Sequence, residues 1–273
     1  MHHTLINLWR RRGLLTGAGL VAFIVLAALV APLLGTDPDA QDLYAILQPP
    51  SATHWFGTDA FGRDLLTRVV HGARISLVEI VAGVGLSCLA GVPIGLLAGT
   101  LGGRFDRTVM WVMDILFAFP GIILAILVVS ILGNGLFDML LAIATFSVPV
   151  YARLARNLAA GLRHASYVEA AIVLGAGRGR IIFDHILRNA LGPIIVQSTL
   201  TAGTVVLAAA ALSFLGLGAQ PPSPEWGTMM SDGRNTIGAD IYPSLFPGLA
   251  LTLTVLGFNL LGDALHTLLD PRK

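Results

Sequence analysis

Residues Gly13–Leu34 are 22 consecutive positions without a charged side chain, and Arg10, Arg11 and Arg12 stand immediately before them. At about 1.5 Å of rise per residue, a helical run of that length crosses the roughly 30 Å of hydrocarbon in a bilayer. A cleaved signal peptide has a shorter apolar core, about 7–15 residues, followed by a small-x-small site. Here the run ends in Ala31-Pro32-Leu33-Leu34, so it reads as an uncleaved first span. The whole chain shares this character: 55% of its 273 residues are hydrophobic and 12% are Asp, Glu, Lys or Arg. Soluble chains carry about 25% charged residues, so an ordinary soluble domain is excluded.

Five further spans follow from the same reading. The second covers about Ile75 to Leu101, with Glu79 near its start, and the third about Val109 to Leu132, with Asp114 near its start and Pro120 inside. Gly133-Asn134-Gly135 forms a turn into the fourth, about Leu136–Leu154. Only the 14 residues Met139–Ala152 lie between Asp138 and Arg153, and snorkelling of Arg153 extends that span. The fifth lies within Asn189–Leu217 and the sixth is about Tyr242–Gly262. The expected fold is all-α and polytopic, with six transmembrane helices. Residues 1–74 hold the first span and an outer loop, and residues 75–273 hold a core of five spans with a long inner segment at 155–188. Glu79, Asp114 and Asp263 each fall near a span end, where interfacial placement accounts for a charge. Asn259 is the polar residue best placed for an interhelical hydrogen bond.

The basic residues set orientation and restrict function. With the N-terminus in the cytoplasm, 13 of the 17 basic residues fall inside, and only Arg63, Arg68, Arg74 and Arg234 fall outside. That bias predicts an even number of spans with both termini cytoplasmic. Lys273 is the single lysine, so no G-x-x-x-x-G-K-[ST] phosphate loop is possible, and work driven by ATP needs another polypeptide to hold the nucleotide. A single cysteine, Cys88, excludes an internal disulfide and any multi-cysteine metal centre, and the net charge of +1 argues against nucleic acid as a partner.

Three segments have patterns that a span alone does not require. In the inner segment, Ser166-Tyr167-Val168-Glu169 reads as a capping box, with a short helix through Leu174. Gly175 ends that helix in a left-handed conformation, Gly175-Ala176-Gly177-Arg178-Gly179 forms a turn, and a second helix covers Arg180–Leu187. The plain reading is a basic loop that fixes topology; against it, Ala170 and Ala171 let one helix side approach another surface closely. In the outer loop, Trp55, Phe56, Asp59, Arg63 and Asp64 occur between Pro49-Pro50 and the second span. These residues read mainly as a compact packed loop with mutually paired charges, and otherwise as a contact for a ligand or partner. In the second span, Gly83, Ser87, Gly91, Gly95 and Gly99 recur every four residues and line one helix face. Such a face serves close helix packing, within the chain or against a second subunit.

Glu169-Ala170-Ala171, three residues, Gly175, nine residues and His185-Ile186-Leu187 resemble the EAA loop of permease subunits in ATP-binding cassette importers. Here Leu187-Arg188-Asn189 stands where that family usually has Leu-Pro-Asn, and Arg188 would remove a kink at the start of the fifth span. The outer loop His54-Trp55-Phe56-Gly57-Thr58-Asp59 is similar to that of the peptide and nickel permeases, of the type forming the second permease of a pair. So are Ser213-Phe214-Leu215-Gly216-Leu217-Gly218, Pro224-Glu225-Trp226-Gly227 and Asp232-Gly233-Arg234.

The resemblance implies the type I importer permease fold in a bacterial or archaeal cytoplasmic membrane. It also implies that Ser166, Tyr167, Glu169, Ala170, Ala171, Gly175, Ala176 and Arg178 couple the chain to an ATPase. The implied partners are a second permease, one or two nucleotide-binding subunits that carry ATP and Mg, an extracytoplasmic binding protein and membrane lipid. No cofactor is expected in this chain. The implied substrates are peptides, with glutathione or nickel complexes as the alternative. An ion-coupled carrier would place charges at span midpoints, and none is expected there. An intramembrane enzyme finds neither H-E-x-x-H nor G-x-S-x-G in the chain.

Overall fold

The computed structural model describes residues 2–269, with side chains described from Arg12 onward. Arg272 and Lys273, two of the basic residues placed inside, and the side chains of Arg10 and Arg11 lie outside the described residues. Apart from an isolated antiparallel bridge between Thr58 and Asp64, the regular structure of the described residues is helical.

Helix α1, His2–Val30, runs into a single 3-10 turn, Ala31–Leu34, that Gly35 ends. Helix α2, Leu65–Leu101, is capped by Asp64, whose side chain accepts from the Thr67 amide at 2.8 Å. It is followed by α3, Gly103–Ala118, α4, Gly121–Leu132, and α5, Leu136–Leu162. The short α6, Ser166–Val173, precedes α7, which runs from Arg178 to Phe214 with a π-helical stretch at Ile181–Leu187. Helix α8, Trp226–Arg234, and α9, Tyr242–Leu269, complete the chain.

Five of these helices, α1, α2, α5, α7 and α9, are long and apolar enough to cross a membrane. The third expected span differs from its sequence reading: α3 and α4 meet at Phe119-Pro120 with a 95° bend, so this segment is a broken pair and not one rod. Proline lacks the N–H that would continue the helix and pushes the residue before it out of the helical region. Phe119 accordingly has an extended backbone.

Three apolar clusters hold the bundle. Ile24 and Ala28 of α1, Ala73 and Ile80 of α2, Val206 and Ala210 of α7 and Leu251 of α9 pack around Trp226 and Met229. Val92 and Leu96 of α2 meet Tyr151, Ala155 and Ala159 of α5 together with Ile181, Ile182 and Ile186 of α7. Ala125 and Val129 of α4 meet Met139 and Ile143 of α5 and Ala209 and Leu212 of α7.

Glu79 is neither at a helix end nor exposed. Because α2 begins at Leu65 and not near Ile75, Glu79 falls well inside the helix, fully buried, and neither carboxyl oxygen has a hydrogen-bond partner.

Candidate functional site

Helix α6 begins one residue earlier than the capping-box reading. Ala165 has the extended backbone of a cap residue, and its carbonyl accepts the Val168 and Glu169 amides at 2.9 and 3.0 Å. Ser166 is already helical, its hydroxyl caps nothing, and no Ser166–Glu169 box forms. At the other end Gly175 is left-handed, with φ at +85°. Its amide donates to the Ile172 carbonyl and the Ala176 amide to the Ala171 carbonyl, both at 2.9 Å, the paired bonds of a Schellman close. A Cβ at Gly175 would meet no neighbour, so the glycine is required by its φ and not by space.

One side of α6 is anchored. Val168 is fully buried against Ile181, Ile182 and Ile186 of α7 and Ala155 and Ala159 of α5. The Asn189 amide donates to the His185 carbonyl at 2.6 Å and to the Tyr167 hydroxyl at 3.3 Å, and the Tyr167 and His185 rings lie 6.4 Å apart. The other side is open. Glu169, Ala170 and Arg178 are exposed, Ala171 and Ala176 are half-buried, and Val173 and Leu174 are 84% and 87% exposed beside exposed Ile172. A bared apolar tip held by a packed base is suited to insertion into a second protein. The base is continuous with α7: Arg188 lies inside a helix that runs without a break from Arg178 to Phe214, π-helical at Ile181–Leu187.

At the opposite end of α2 the outer loop folds onto buried charges. Asp59 accepts the Phe61 and Arg63 amides and the Arg63 Nε, at 2.8, 3.0 and 2.6 Å. Arg68, fully buried, donates from Nη1 to the Pro38 carbonyl and Asp39 at 2.9 Å and from Nη2 to the Pro222 carbonyl at 3.1 Å. Its Nε lies 3.7 Å from Asp59, and Arg63 lies 3.9 Å from Asp232. Burial pushes the Asp232 carboxyl up, while Arg63 and Arg68 pull it back.

His54 contacts Asp64 at 3.0 Å. Phe56 stacks on Phe246 at 4.0 Å, whereas Trp55 points outward, 69% exposed. Trp226 is buried, and its indole N–H donates to the Val69 carbonyl at 3.0 Å. Beside it the buried Glu225 accepts the Gly227 and Thr228 amides at 2.8 and 2.7 Å, capping α8. Burial raises the Glu225 carboxyl above the usual carboxylate range, against the pull of those donors.

The small-residue face of α2 is occupied within this chain. A Cβ at Gly91, Gly95 or Gly99 would run into the α5 backbone at Val148, Ala152 and Arg156 respectively, and one at Gly83 would meet Val205 of α7 at 2.7 Å. Ser87 is buried and returns its hydroxyl to the Gly83 carbonyl at 2.7 Å.

Sequence reasoning missed Arg68, which joins the loop before α2 to the Pro222 segment, and helix α8. Nothing local to Arg68 announces its partners, which stand at Pro38, Asp39 and Pro222.

Comparison with known proteins agrees with this architecture. Residues 91–273 match the family model described as binding-protein-dependent transport system inner membrane component, and residues 1–50 match the N-terminal TM domain of oligopeptide transport permease C. The chain is 48% identical to the dipeptide transport system permease protein DppC of Alkalihalophilus pseudofirmus, over 94% of this chain and 85% of that one. It is 46% identical to a probable D,D-dipeptide transport system permease protein of Escherichia coli, over 94% and 87%. It is 44% identical to a glutathione transport system permease protein of Salmonella typhimurium, over 97% and 89%. A solved chain of the MetNI methionine ABC transporter, in an inward-facing conformation, has the same fold at a TM-score of 0.61 and 21% identity, covering 73% of this chain and 94% of that one. With a family model spanning most of its length and close relatives along nearly all of it, the chain belongs to the binding-protein-dependent transport system inner membrane component family, the permeases of ATP-binding cassette importers.

Proposed function

We propose that this chain is one of two permease subunits of an importer for short peptides, moved by a separate ATPase that grips the α6 tip. The observation that carries the reading is the exposed Ile172-Val173-Leu174 tip, braced through Val168 on a helix that continues unbroken to Phe214. Glu169, Ala170, Ala171 and Arg178 border that tip, with Ser166, Tyr167, Gly175 and Ala176 shaping it. Closure of the nucleotide-binding subunits then displaces α6 and α7 together and reorients the path between the two permeases. ATP and Mg belong to the partner subunits. Trp55 and the loop around it receive an extracytoplasmic binding protein, and both termini lie in the cytoplasm of a bacterial or archaeal cell.

Peptide is the favoured cargo because relatives named as dipeptide permeases are 48% and 46% identical to this chain. Glutathione is the second reading, supported by relatives at 44%. Purification of the intact membrane complex, followed by reconstitution and uptake of labelled dipeptide and labelled glutathione, tests both. Co-purification with an ATPase and ATP-dependent dipeptide uptake are expected. Recovery without a nucleotide-binding subunit, with transport indifferent to ATP depletion, would sink the reading.

A further inference from the structure

Two geometric relationships fix how α3 lies. Its axis turns 95° from that of α4, and α4 packs against α5, where Ala125 and Val129 join Met139 and Ile143. The ion pairs from α5 to α3 give the same direction. Arg156 donates twice to Asp106, Nε to Oδ1 at 2.9 Å and Nη2 to Oδ2 at 2.5 Å, and Arg153 donates to Asp114. From Asp106 to Asp114, α3 advances about 12 Å, whereas from Arg156 to Arg153 α5 advances only about 4.5 Å. Helices lying side by side would advance equally, so α3 crosses α5 at about 20° from the perpendicular.

A helix at that angle to the spans lies close to the membrane plane, and α4 completes the crossing without it. The 12 residues of α4 rise about 18 Å. Extended backbone at Phe119 and Pro120 before α4, and at Gly133 and Gly135 after it, adds about 13 Å, which together reaches the roughly 30 Å of hydrocarbon.

The surface of α3 suits the same position. Met113 is buried and both acids are held by α5, so one side faces the bundle. Phe105 and Val112, seven residues apart, begin an exposed apolar row that Phe119 continues at the helix end. Arg104 and Arg107, both exposed, lie about 90° and 150° round the helix from that row, with exposed Trp111 between them. Basic residues on one side and aromatic and aliphatic ones on the other are the pattern of a helix resting in the boundary between headgroups and acyl chains, and tryptophan is favoured at headgroup level.

We propose that α3 is an interfacial helix of the cytoplasmic leaflet, with the Phe105, Val112 and Phe119 row in the acyl boundary and Arg104 and Arg107 among anionic lipid phosphates. The placement goes beyond the transport reading and takes from it only the cytoplasmic position of both termini, which sets the Leu101 end of α2, and with it Gly103, at the inner face. Asp106 and Asp114 then tie α5 to the membrane surface.

The assembled importer tests this, with cysteine-free partner subunits, a Cys88→Ser background and a nitroxide attached at Phe105→Cys, Val112→Cys or Phe119→Cys. In vesicles of phosphatidylglycerol and phosphatidylcholine, paramagnetic resonance with oxygen and a water-soluble nickel chelate reads the depth of each label. Depths within about 8 Å of one another are expected, the rise of 14 residues at this inclination, whereas an upright helix would spread them over about 20 Å and overturn the inference. Weak collision with both reagents at Val112→Cys, the mark of a protein covering the row, would overturn it as well. A label at Arg107→Cys should meet the chelate about fivefold more often than one at Val112→Cys, and equal exposure would contradict the assigned faces. Arg104→Glu combined with Arg107→Glu should raise chelate collision at the Phe105→Cys label about threefold in the mixed vesicles and leave it nearly unchanged in phosphatidylcholine alone. The same response in both vesicles would overturn the contact with anionic phosphates. None of these outcomes bears on the peptide reading, which is tested by uptake.

Discussion

Gly95 of α2 faces the Ala152 carbonyl of α5 so closely that there is no room for a Cβ between the two helices. Gly95→Leu must push α2 and α5 apart, and overpacking of this kind costs about 1–3 kcal/mol. Gly85, on the same helix, has nothing within 4 Å of a Cβ. Gly85→Ala is therefore expected to hold or raise the melting temperature in detergent while Gly95→Leu lowers it by several degrees.

Arg68 donates to three acceptors in two loop segments from a site almost closed to water. Truncating one member of a buried charged network costs about 3–5 kcal/mol, because the remaining partners stay buried. Arg68→Ala should loosen the outer loop, which limited proteolysis at residues 36–63 would detect. Arg68→Lys should rescue it poorly, since an ammonium cannot reach Pro38, Asp39 and Pro222 with planar donors.

Glu225, the cap of α8, gives the fold a pH dependence with a defined sign. Its folded-state carboxyl is raised by burial, so in the window between the ordinary and the raised value the folded chain keeps a proton that the unfolded chain has released. The associated stability is fully present below the ordinary glutamate value and is lost as pH rises through the raised one. Melting temperatures measured from about pH 4 to about pH 8 should fall with pH, and Glu225→Gln should flatten part of that slope. Asp232, shifted in the same direction, supplies part of what remains.

Glu79 has two buried oxygens without partners. Leaving such groups unsatisfied costs about 1–3 kcal/mol, and an apolar side chain of similar shape avoids that cost. Glu79→Met should raise the melting temperature, and an unchanged or lower value would mean that the carboxyl is satisfied in the assembled importer.

Gly175→Val should impair coupling more than Gly175→Asn, because the φ of +85° is accessible to asparagine and strained for a β-branched residue. The measure is ATP hydrolysed per peptide imported. Glu169→Lys, on the open side of α6, should raise the same ratio without changing membrane insertion.

The sequence shows span number and the small-residue face plainly, because both are local patterns: apolar length reports hydrocarbon thickness, and a four-residue repeat of Gly and Ser reports one side of a helix. The left-handed Gly175 was legible for the same reason. What could not be read depends on distant neighbours. The burial of Glu79 is set by the helices that close over it, and the Arg68 site is completed by Pro222, 154 residues away. Pro120 was visible, but proline marks an interruption without giving its angle, and 95° became evident only from the two helix directions. Ser166 lost its capping role to Ala165 by a single residue of register, a distinction set by backbone conformation and not by side-chain chemistry.

The unbroken α7 has a mechanical corollary. Its 37 residues make a rod of about 55 Å. A rod pivoting near its middle is a seesaw: a tilt of about 10° sweeps each end roughly 5 Å in opposite directions. With no break between Arg178 and Phe214, a tilt imposed at the α6 end of α7 moves the Phe214 end the opposite way.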